Sequence, residues 1–234
     1  KIQDFLLPHW GLVKPFALDY NWQFRADPPY NDSDKEFEEQ AQEVLDISAC
    51  LTDEHKAIAE YWADGPGTYT PPGHWFEIAQ HVLKNEKRNT PCIKLFFALS
   101  NALLDASIAS WECKHYYNSA RPVSVIRQLF ENKDVQAWGG PCKGTRTIRG
   151  KQWQSYSETP AFPEHVSGHS TFSRAAAVIL KNFTGSDQFG ACYVVKKGSS
   201  RIETNCEVPC VDITLDWPTF TSTAEQAGLS RLYG

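Results

Sequence analysis

The chain has 234 residues, 41% of them hydrophobic and 22% charged, with a formal net charge of -5 at pH 7. This composition is typical of a globular domain, and its acidic balance excludes the global basic field that nucleic acids or anionic membrane surfaces require. No stretch approaches about eighteen consecutive apolar residues, so we also expect no membrane-spanning helix.

Helical periodicity dominates the first half of the chain. It predicts a helix over 34–50, a second from Thr52 to Trp62, a third over 71–83 and a long apolar helix over 91–113. The last one contains the small and scattered polar residues of a helix that is buried on most sides.

The second half is predicted to be more irregular. Residues 131–160 are rich in Gly, Pro and basic residues, which predicts a long connection of a kind that is often functional. Its basic residues are expected to be solvated rather than to attract an anionic substrate: Lys143, Arg146, Arg149 and Lys151. A helix is expected from Ser167 to Lys181, then loops and short strands over 184–220, and finally a capped helix that starts at Thr221. The predicted fold is therefore all-α, a single helical domain over 1–234 with long loops and minor short strands.

Two cations lie seven residues apart near the end of the long apolar helix. On a continuous helix Lys114 and Arg121 would project from the same face, although Pro122 disfavours a helical conformation at Arg121. Their burial without an anion would be costly. Taken alone, however, the pair is more typical of two solvated surface charges.

The tripeptide Ser167-Gly168-His169 opens a predicted helix. Gly168 permits a close backbone approach to a ligand, the Ser167 hydroxyl can donate a hydrogen bond, and the helix N-terminus favours an anion. His169 is suited to transfer a proton to or from an oxygen of that anion. By itself the tripeptide is a weak signal, with a helix-starting turn as the simpler interpretation.

Together, Lys-x6-Arg-Pro and Ser-Gly-His resemble the signature of the type 2 phosphatidic acid phosphatase and vanadium-dependent haloperoxidase superfamily. Ser230-Arg231 resembles the start of its third motif, Ser-Arg-x5-His, whose histidine is expected about three residues beyond Gly234. Segments 10–16, 62–67 and 71–75 are similar to secreted bacterial-type members of the soluble haloperoxidase branch. Val166 replaces the usual proline before Ser-Gly-His.

The resemblance implies a helical bundle of the haloperoxidase and acid phosphatase type, with vanadate, or phosphate in the same site, held by cations. Lys114, Arg121 and Arg231 would neutralise its oxygens, Ser167 and Gly168 would donate neutral hydrogen bonds, and His169 would act as acid or base. The histidine beyond Gly234 would be the axial metal ligand, with no metal ligand inside the chain. Hydrogen peroxide, halide and a small organic acceptor are the implied partners.

The resemblance also implies roles for three neighbouring residues. Trp111 and Phe162 resemble the hydrophobic pair of the halide pocket in chloroperoxidase-type enzymes, whereas algal bromoperoxidases have a histidine at the Phe162 position. Asp64 resembles the carboxylate that pairs with the third-motif arginine, although Asp-Gly-Pro-Gly is also ordinary turn chemistry. His165 is expected at a polar rim and His115 in a structural role.

Three functions remain open at this point. The first is a vanadium-dependent haloperoxidase that oxidises halide with hydrogen peroxide to hypohalous acid. The second is a phosphomonoester hydrolase that works through phosphohistidine, because vanadate adopts the geometry of the phosphoryl transition state. The third is a non-catalytic anion-binding or structural member of the family.

The N-glycosylation pattern favours a secreted, extracellular protein, because Asn31-Asp32-Ser33 and Asn182-Phe183-Thr184 match it. The absence of methionine is typical of a processed or partial chain. The seven cysteines have no metal-site spacing. Four lie in predicted loops, where we expect disulfides: Cys142, Cys192, Cys206 and Cys210. Three lie in helical patterns, where we expect buried free thiols: Cys50, Cys92 and Cys113.

Overall fold

The computed structural model describes residues 4–234, which form seven α-helices, two β-hairpins and two short 3-10 helices. The helices are α1 (Lys35–Ala49), α2 (Asp53–Tyr61), α3 (Thr70–Val82), α4 (Asn89–Tyr117), α5 (Pro122–Leu129), α6 (Gly168–Thr184) and α7 (Phe220–Tyr233). The strands are β1 (Asp134–Trp138), β2 (Thr145–Arg149), β3 (Gln188–Val195) and β4 (Ile213–Thr219), and the 3-10 helices are Trp10–Leu12 and Gly150–Gln152.

The main hydrophobic core surrounds α4. Leu95, Leu99 and Leu103 repeat every fourth residue on this helix, and each is at most 2% exposed. They belong to one cluster with Ala176 of α6 and Ala227 of α7, whose small side chains allow close helix packing. Burial of each leucine contributes roughly 1.5–3 kcal/mol. This core fixes the end of α4 beside the start of α6, which is where the predicted anion ligands lie.

Two antiparallel hairpins interrupt the helical framework. In the first, Val135 of β1 faces Ile148 of β2, and in the second, Tyr193 of β3 faces Leu215 of β4. The prediction of an all-α framework with minor short strands is therefore confirmed for the helices and for the second hairpin, which lies within 184–220, whereas the first hairpin was not predicted. The first lies within the predicted irregular connection 131–160, where the glycine and proline of the turn obscured the flanking β-branched residues.

Helices α4 and α7 differ from their predicted bounds, and α5 was not predicted. Helix α4 is longer than predicted, and Asn118, whose φ is 48°, ends it in a left-handed conformation. Pro122 then begins α5, a helix that was not predicted. Helix α7 starts at Phe220, because Thr219 rather than Thr221 accepts the backbone N–H of Ser222.

The N-terminal segment 4–34 lies along α4. Asp105 accepts the backbone N–H groups of Phe16 and Ala17 at 2.6 and 2.7 Å. A Cβ at Gly11 would lie 2.6 Å from the backbone nitrogen of Glu112, so only glycine permits this approach. The segment therefore covers the end of α4 that carries the predicted site.

The stretch Asn89–Leu129 is long and apolar enough to cross a membrane, with a mean hydropathy of 1.5 in its most apolar window. Core helices of globular proteins meet the same criterion. The structure divides this stretch into α4 and α5. The expectation of no membrane span stays a prediction.

One disulfide joins the two halves of the chain. Cys142 and Cys206, which are 64 residues apart, are bonded, whereas Cys192 and Cys210 are exposed free thiols. The prediction of disulfides among the loop cysteines is thus confirmed for one pair. The prediction of buried free thiols is confirmed for Cys113, but Cys50 is exposed because α1 ends one residue before it.

Candidate functional site

Lys114 is a buried cation in the last turn of α4. Its side chain is almost completely enclosed, and Nζ donates to the backbone carbonyls of Pro163 and Glu164 at 2.7 and 2.9 Å. Desolvation, together with the charge of Arg121, lowers the pKa of Lys114 to about 7. The interpretation of this residue as a solvated surface charge is therefore wrong.

Arg121 reaches the same place from a different element. It has an extended backbone and caps α5, so the two cations do not share a face of one continuous helix. Its Nε donates to the carbonyl oxygen of Phe162 at 2.6 Å, whereas its Nη2 is buried without a partner within residues 4–234. Burial lowers the pKa of Arg121 to about 10, and the charge of Arg231 adds to this effect.

The loop before α6 holds both cations over one aromatic ring. Lys114 Nζ lies 4.9 Å and Arg121 Cζ 4.8 Å from the ring centroid of Phe162, which favours cation–π attraction. The Phe162 and Trp111 rings lie 5.1 Å apart, so the two predicted halide-pocket residues are in contact. Trp111 Nε1 donates to the carbonyl oxygen of Leu6, which fixes the indole against the N-terminal segment.

Ser167 and Gly168 begin α6 as predicted. The Ser167 hydroxyl oxygen caps the helix by accepting the backbone N–H of Ser170 at 3.2 Å, which leaves its own O–H to donate elsewhere. A Cβ at Gly168 would make only ordinary contacts, 3.4 Å from Phe172 and 3.8 Å from Trp111. Space therefore remains beside the backbone at the positive end of the helix dipole.

His169 is held by a backbone carbonyl. Its Nε2 lies 2.6 Å from the carbonyl oxygen of Trp62, which also accepts from Arg231 Nη1 at 3.4 Å. A carbonyl can only accept, so Nε2 carries the proton and Nδ1 has the free lone pair. Burial, followed by the charge of Arg231, lowers the pKa of His169 to about 3, so the imidazole is neutral near pH 7.

Arg231 lies on α7 and contributes the third cation. Burial lowers its pKa, and the carboxylate of Asp64 opposes that shift. The carbonyl of Trp62 that it contacts lies at the C-terminus of α2, where the helix dipole favours a positive group.

Asp64 was predicted to pair with Arg231, but its direct partner is a histidine. The carboxylate lies 3.0 Å from Nδ1 of His74, and Nε2 of His74 lies 3.1 Å from the Tyr61 hydroxyl. Asp64 and His74 are 4% and 2% exposed. The negative charge of Asp64 therefore acts on Arg231 from a distance, while its hydrogen bonds fix His74.

The remaining candidates lie outside this cluster. His165 contacts the carbonyl oxygen of Asp27 at 2.9 Å through Nε2 and faces Tyr117, and His115 is exposed at the end of α4. The four basic residues of the predicted connection are exposed on or beside the β1–β2 hairpin: Lys143, Arg146, Arg149 and Lys151.

The three cations have no carboxylate as an ion-pair partner in the part of the chain that the structure describes. None of Lys114, Arg121 and Arg231 lies within 4.0 Å of an acidic oxygen, yet each is at least partly buried. Like charges placed together at such a site raise the free energy of the ligand-free protein unless an anion binds among them. The charge of the cluster therefore favours binding of an oxyanion.

The comparison with known protein families agrees with this geometry. The model described as the VCPO second helical-bundle domain matches residues 94–234, more than half of the chain and all of the basic cluster. The chain belongs to this family. It is thereby a member of the vanadium haloperoxidase superfamily, as the three motifs predicted.

Individual vanadium haloperoxidases are similar to this chain at 27–28% sequence identity. Vanadium chloroperoxidase of Curvularia inaequalis is 28% identical over 139 residues, which cover 53% of this chain and 22% of that protein. A holo-type bacterial vanadium-dependent chloroperoxidase superposes with a TM-score of 0.90 at 27% identity, covering 99% of this chain and 50% of the other. A bacterial vanadium-dependent iodoperoxidase superposes with a TM-score of 0.75 at 28% identity, and the match covers 99% of this chain and 52% of the iodoperoxidase. The chain thus spans about half the length of these bacterial relatives.

Two groups that contact the candidate site were not predicted from the sequence: the carbonyl of Trp62 and the side chain of His74. The carbonyl of Trp62 has no sequence signal, because any residue could supply it. His74 lies on the buried face of α3, one position before the buried Trp75. A histidine at such a position within a predicted helix was the only available indication.

Proposed function

We propose that this chain binds vanadate and forms the catalytic domain of a vanadium-dependent haloperoxidase, which oxidises halide with hydrogen peroxide to hypohalous acid. One observation carries the proposal. Nη2 of Arg121 is buried without a partner, beside two further cations that have no carboxylate oxygen within 4.0 Å in residues 4–234. An unpaired buried guanidinium N–H costs about 1–3 kcal/mol, and a tetrahedral oxyanion would satisfy it.

The residues present fit such a group. Lys114, Arg121 and Arg231 would hold its negative oxygens through charge-assisted hydrogen bonds, and the hydroxyl of Ser167 and the N–H of Gly168 would add neutral ones. When bound, vanadate supplies the Lewis acidity that activates hydrogen peroxide for transfer of an oxygen to halide. The family and its relatives support this choice of cofactor.

The residues of the chain itself would transfer the proton and orient the reacting groups. His169 is neutral and presents Nδ1. The negative charge of an oxyanion bound among the cations would raise its pKa, so that it can accept a proton from an oxygen of that anion and return it when the product leaves. The Trp62 carbonyl fixes the orientation of the ring. Trp111 and Phe162 are in contact and would form the apolar side of a halide site, with a small organic molecule as the final acceptor.

A secreted, extracellular location is part of the proposal. The Cys142–Cys206 disulfide supports it, because such bonds persist in oxidising compartments. Asn31 and Asn182 of the two glycosylation patterns are both exposed.

The test is a comparison of two activities on one preparation of the protein, which must include the histidine expected beyond Gly234. Bromide oxidation with peroxide is measured before and after addition of vanadate, beside hydrolysis of a phosphomonoester. We expect oxidation that depends on vanadate and is lost in Arg121→Ala but kept in Arg146→Ala, a control on the exposed hairpin. Hydrolysis without peroxide would favour the phosphatase alternative. Neither activity, despite binding of the anion, would favour a non-catalytic role.

A further inference from the structure

A cleft that is lined by His74 lies outside the basic cluster. Its volume is about 580 Å³, and it lies between α2, α3, the β3–β4 hairpin and the loop around residues 199–209. None of the predicted anion ligands lines it. It therefore requires a separate explanation.

Aromatic rings form one wall of this cleft. The ring of Tyr61 lies 4.8 Å from that of Tyr193 and 5.1 Å from that of Trp217, and the ring of Tyr69 lies 5.2 Å from that of His74. Tyr69 and Tyr193 are 53% and 50% exposed, which is a high exposure for large aromatic side chains that face one cavity. The faces of such rings are electron-rich and attract cations.

The floor of the cleft is rigid. Nδ1 of His74 lies 3.0 Å from the Asp64 carboxylate and Nε2 lies 3.1 Å from the Tyr61 hydroxyl, so both ring nitrogens are held by the protein. Burial raises the pKa of Tyr61, so its hydroxyl stays protonated. The wall is held in place before any ligand arrives.

One carboxylate that lines the cleft forms no ion pair within residues 4–234. Lys56 is paired with Glu203 at 2.7 Å, and Arg201 lies 3.9 Å from Glu60, so both cations are compensated. Glu77 has no ion pair within residues 4–234. Its charge acts directly on the aromatic wall, since desolvation and the charge of Glu77 raise the pKa of Tyr69 to about 12.

The basic cluster and the cleft thus have opposite charge preferences. Trp62 separates them: its ring stacks on His74 at 4.6 Å, while its carbonyl binds His169. An anion is favoured on one side and a cation on the other. The two sites can be occupied together.

We propose that this cleft binds an organic cation with an aromatic or apolar body, its ammonium group at Glu77 and its body against Tyr61, Tyr69 and Tyr193. The aromatic faces and the carboxylate would each stabilise the charge, and the volume is within the range of small-molecule sites. The inference does not depend on the proposed peroxidase activity.

The test uses 2-phenylethylammonium as the probe, with neutral 2-phenylethanol as its matched control, in isothermal titration of the protein. We expect one molecule of the ammonium to bind, at least about fivefold more tightly than the alcohol. Glu77→Gln should remove most of that difference, whereas Glu225→Gln, an exposed substitution on α7, should not. Equal affinity for the two probes, or no effect of Glu77→Gln, would overturn the proposal.

A second arm locates the bound molecule. Tyr193→Leu should weaken binding of the ammonium about threefold or more through loss of the aromatic face, with helical content unchanged. Saturating phosphate should leave the affinity unchanged, because the basic cluster lies beyond Trp62. Competition with phosphate, or full affinity in Tyr193→Leu, would show that the cation binds elsewhere and would overturn the proposal.

Discussion

His169 Nε2 lies 2.6 Å from the carbonyl oxygen of Trp62, at the C-terminus of α2. This contact fixes the tautomer of the imidazole and directs Nδ1 away from that carbonyl. It also joins α2, α6 and α7 at one point, because Arg231 contacts the same oxygen.

The first prediction concerns the protonation of His169. Burial and the charge of Arg231 lower its pKa to about 3, so NMR of labelled histidine should show no titration of this ring from about pH 5 to about pH 8. Because the unfolded state binds the proton first, stability should fall as pH decreases from about 6.5 to about 3, and less so in His169→Asn. Saturation with phosphate should raise the pKa of His169, because a bound anion stabilises the imidazolium. An ordinary titration near pH 6.5 in the ligand-free protein would contradict this account.

The second prediction concerns Lys114. Its pKa of about 7 lies below the value in the unfolded chain, so the unfolded state binds more protons between about pH 7 and about pH 10. The free energy of unfolding should therefore rise with pH in this window, by at most about 1.4 kcal/mol per pH unit. Denaturant unfolding of Lys114→Met should lack this rise and show higher stability at pH 7. A parallel pH dependence in both proteins would argue against a buried, destabilised ammonium.

The third prediction separates folding from ligand binding at Gly168. A Cβ there makes only ordinary contacts with Phe172 and Trp111, so Gly168→Ala should change the free energy of unfolding by less than about 1 kcal/mol. The same Cβ occupies space beside the anion, so the affinity for phosphate should fall about tenfold or more. Thermal unfolding and titration on the same sample check this. Unchanged affinity would place the anion away from the α6 terminus.

The fourth prediction concerns the Cys142–Cys206 disulfide. Its 64-residue separation implies a loss of about 4 kcal/mol of stability when both residues are changed to serine. Glu203 accepts the backbone N–H of Cys142, so its buried ion pair with Lys56 should loosen when the disulfide is removed. The affinity for phosphate should stay within about twofold of that of the unaltered protein, since none of the predicted anion-binding residues lies on these segments. Urea unfolding and titration of the double variant test both statements.

The ligand types were predictable from sequence, but their arrangement was not. The candidate ligands carry recognisable motifs in the sequence. The structure places Lys114 and Arg121 over the Phe162 ring, and it places His169 and Arg231 at the carbonyl of Trp62. The spacing argument failed for Arg121, because Asn118 ends α4 and the loop carbonyls at 162–164, not a shared helix face, align the two cations. The turn after Asp64 was visible in the sequence, but the contact of Asp64 with His74, ten residues later, was not.

The most direct test of the central claim is calorimetric titration of the protein with orthovanadate, beside Arg121→Ala and Arg146→Ala. The account predicts one site per chain, with affinity about 10–100-fold lower in Arg121→Ala, because the unpaired Nη2 loses its charge-assisted hydrogen bond. Arg146→Ala, on the exposed hairpin, should bind as the unaltered protein does. Absence of binding, or full affinity in Arg121→Ala, would contradict the claim that this cluster is the oxyanion site.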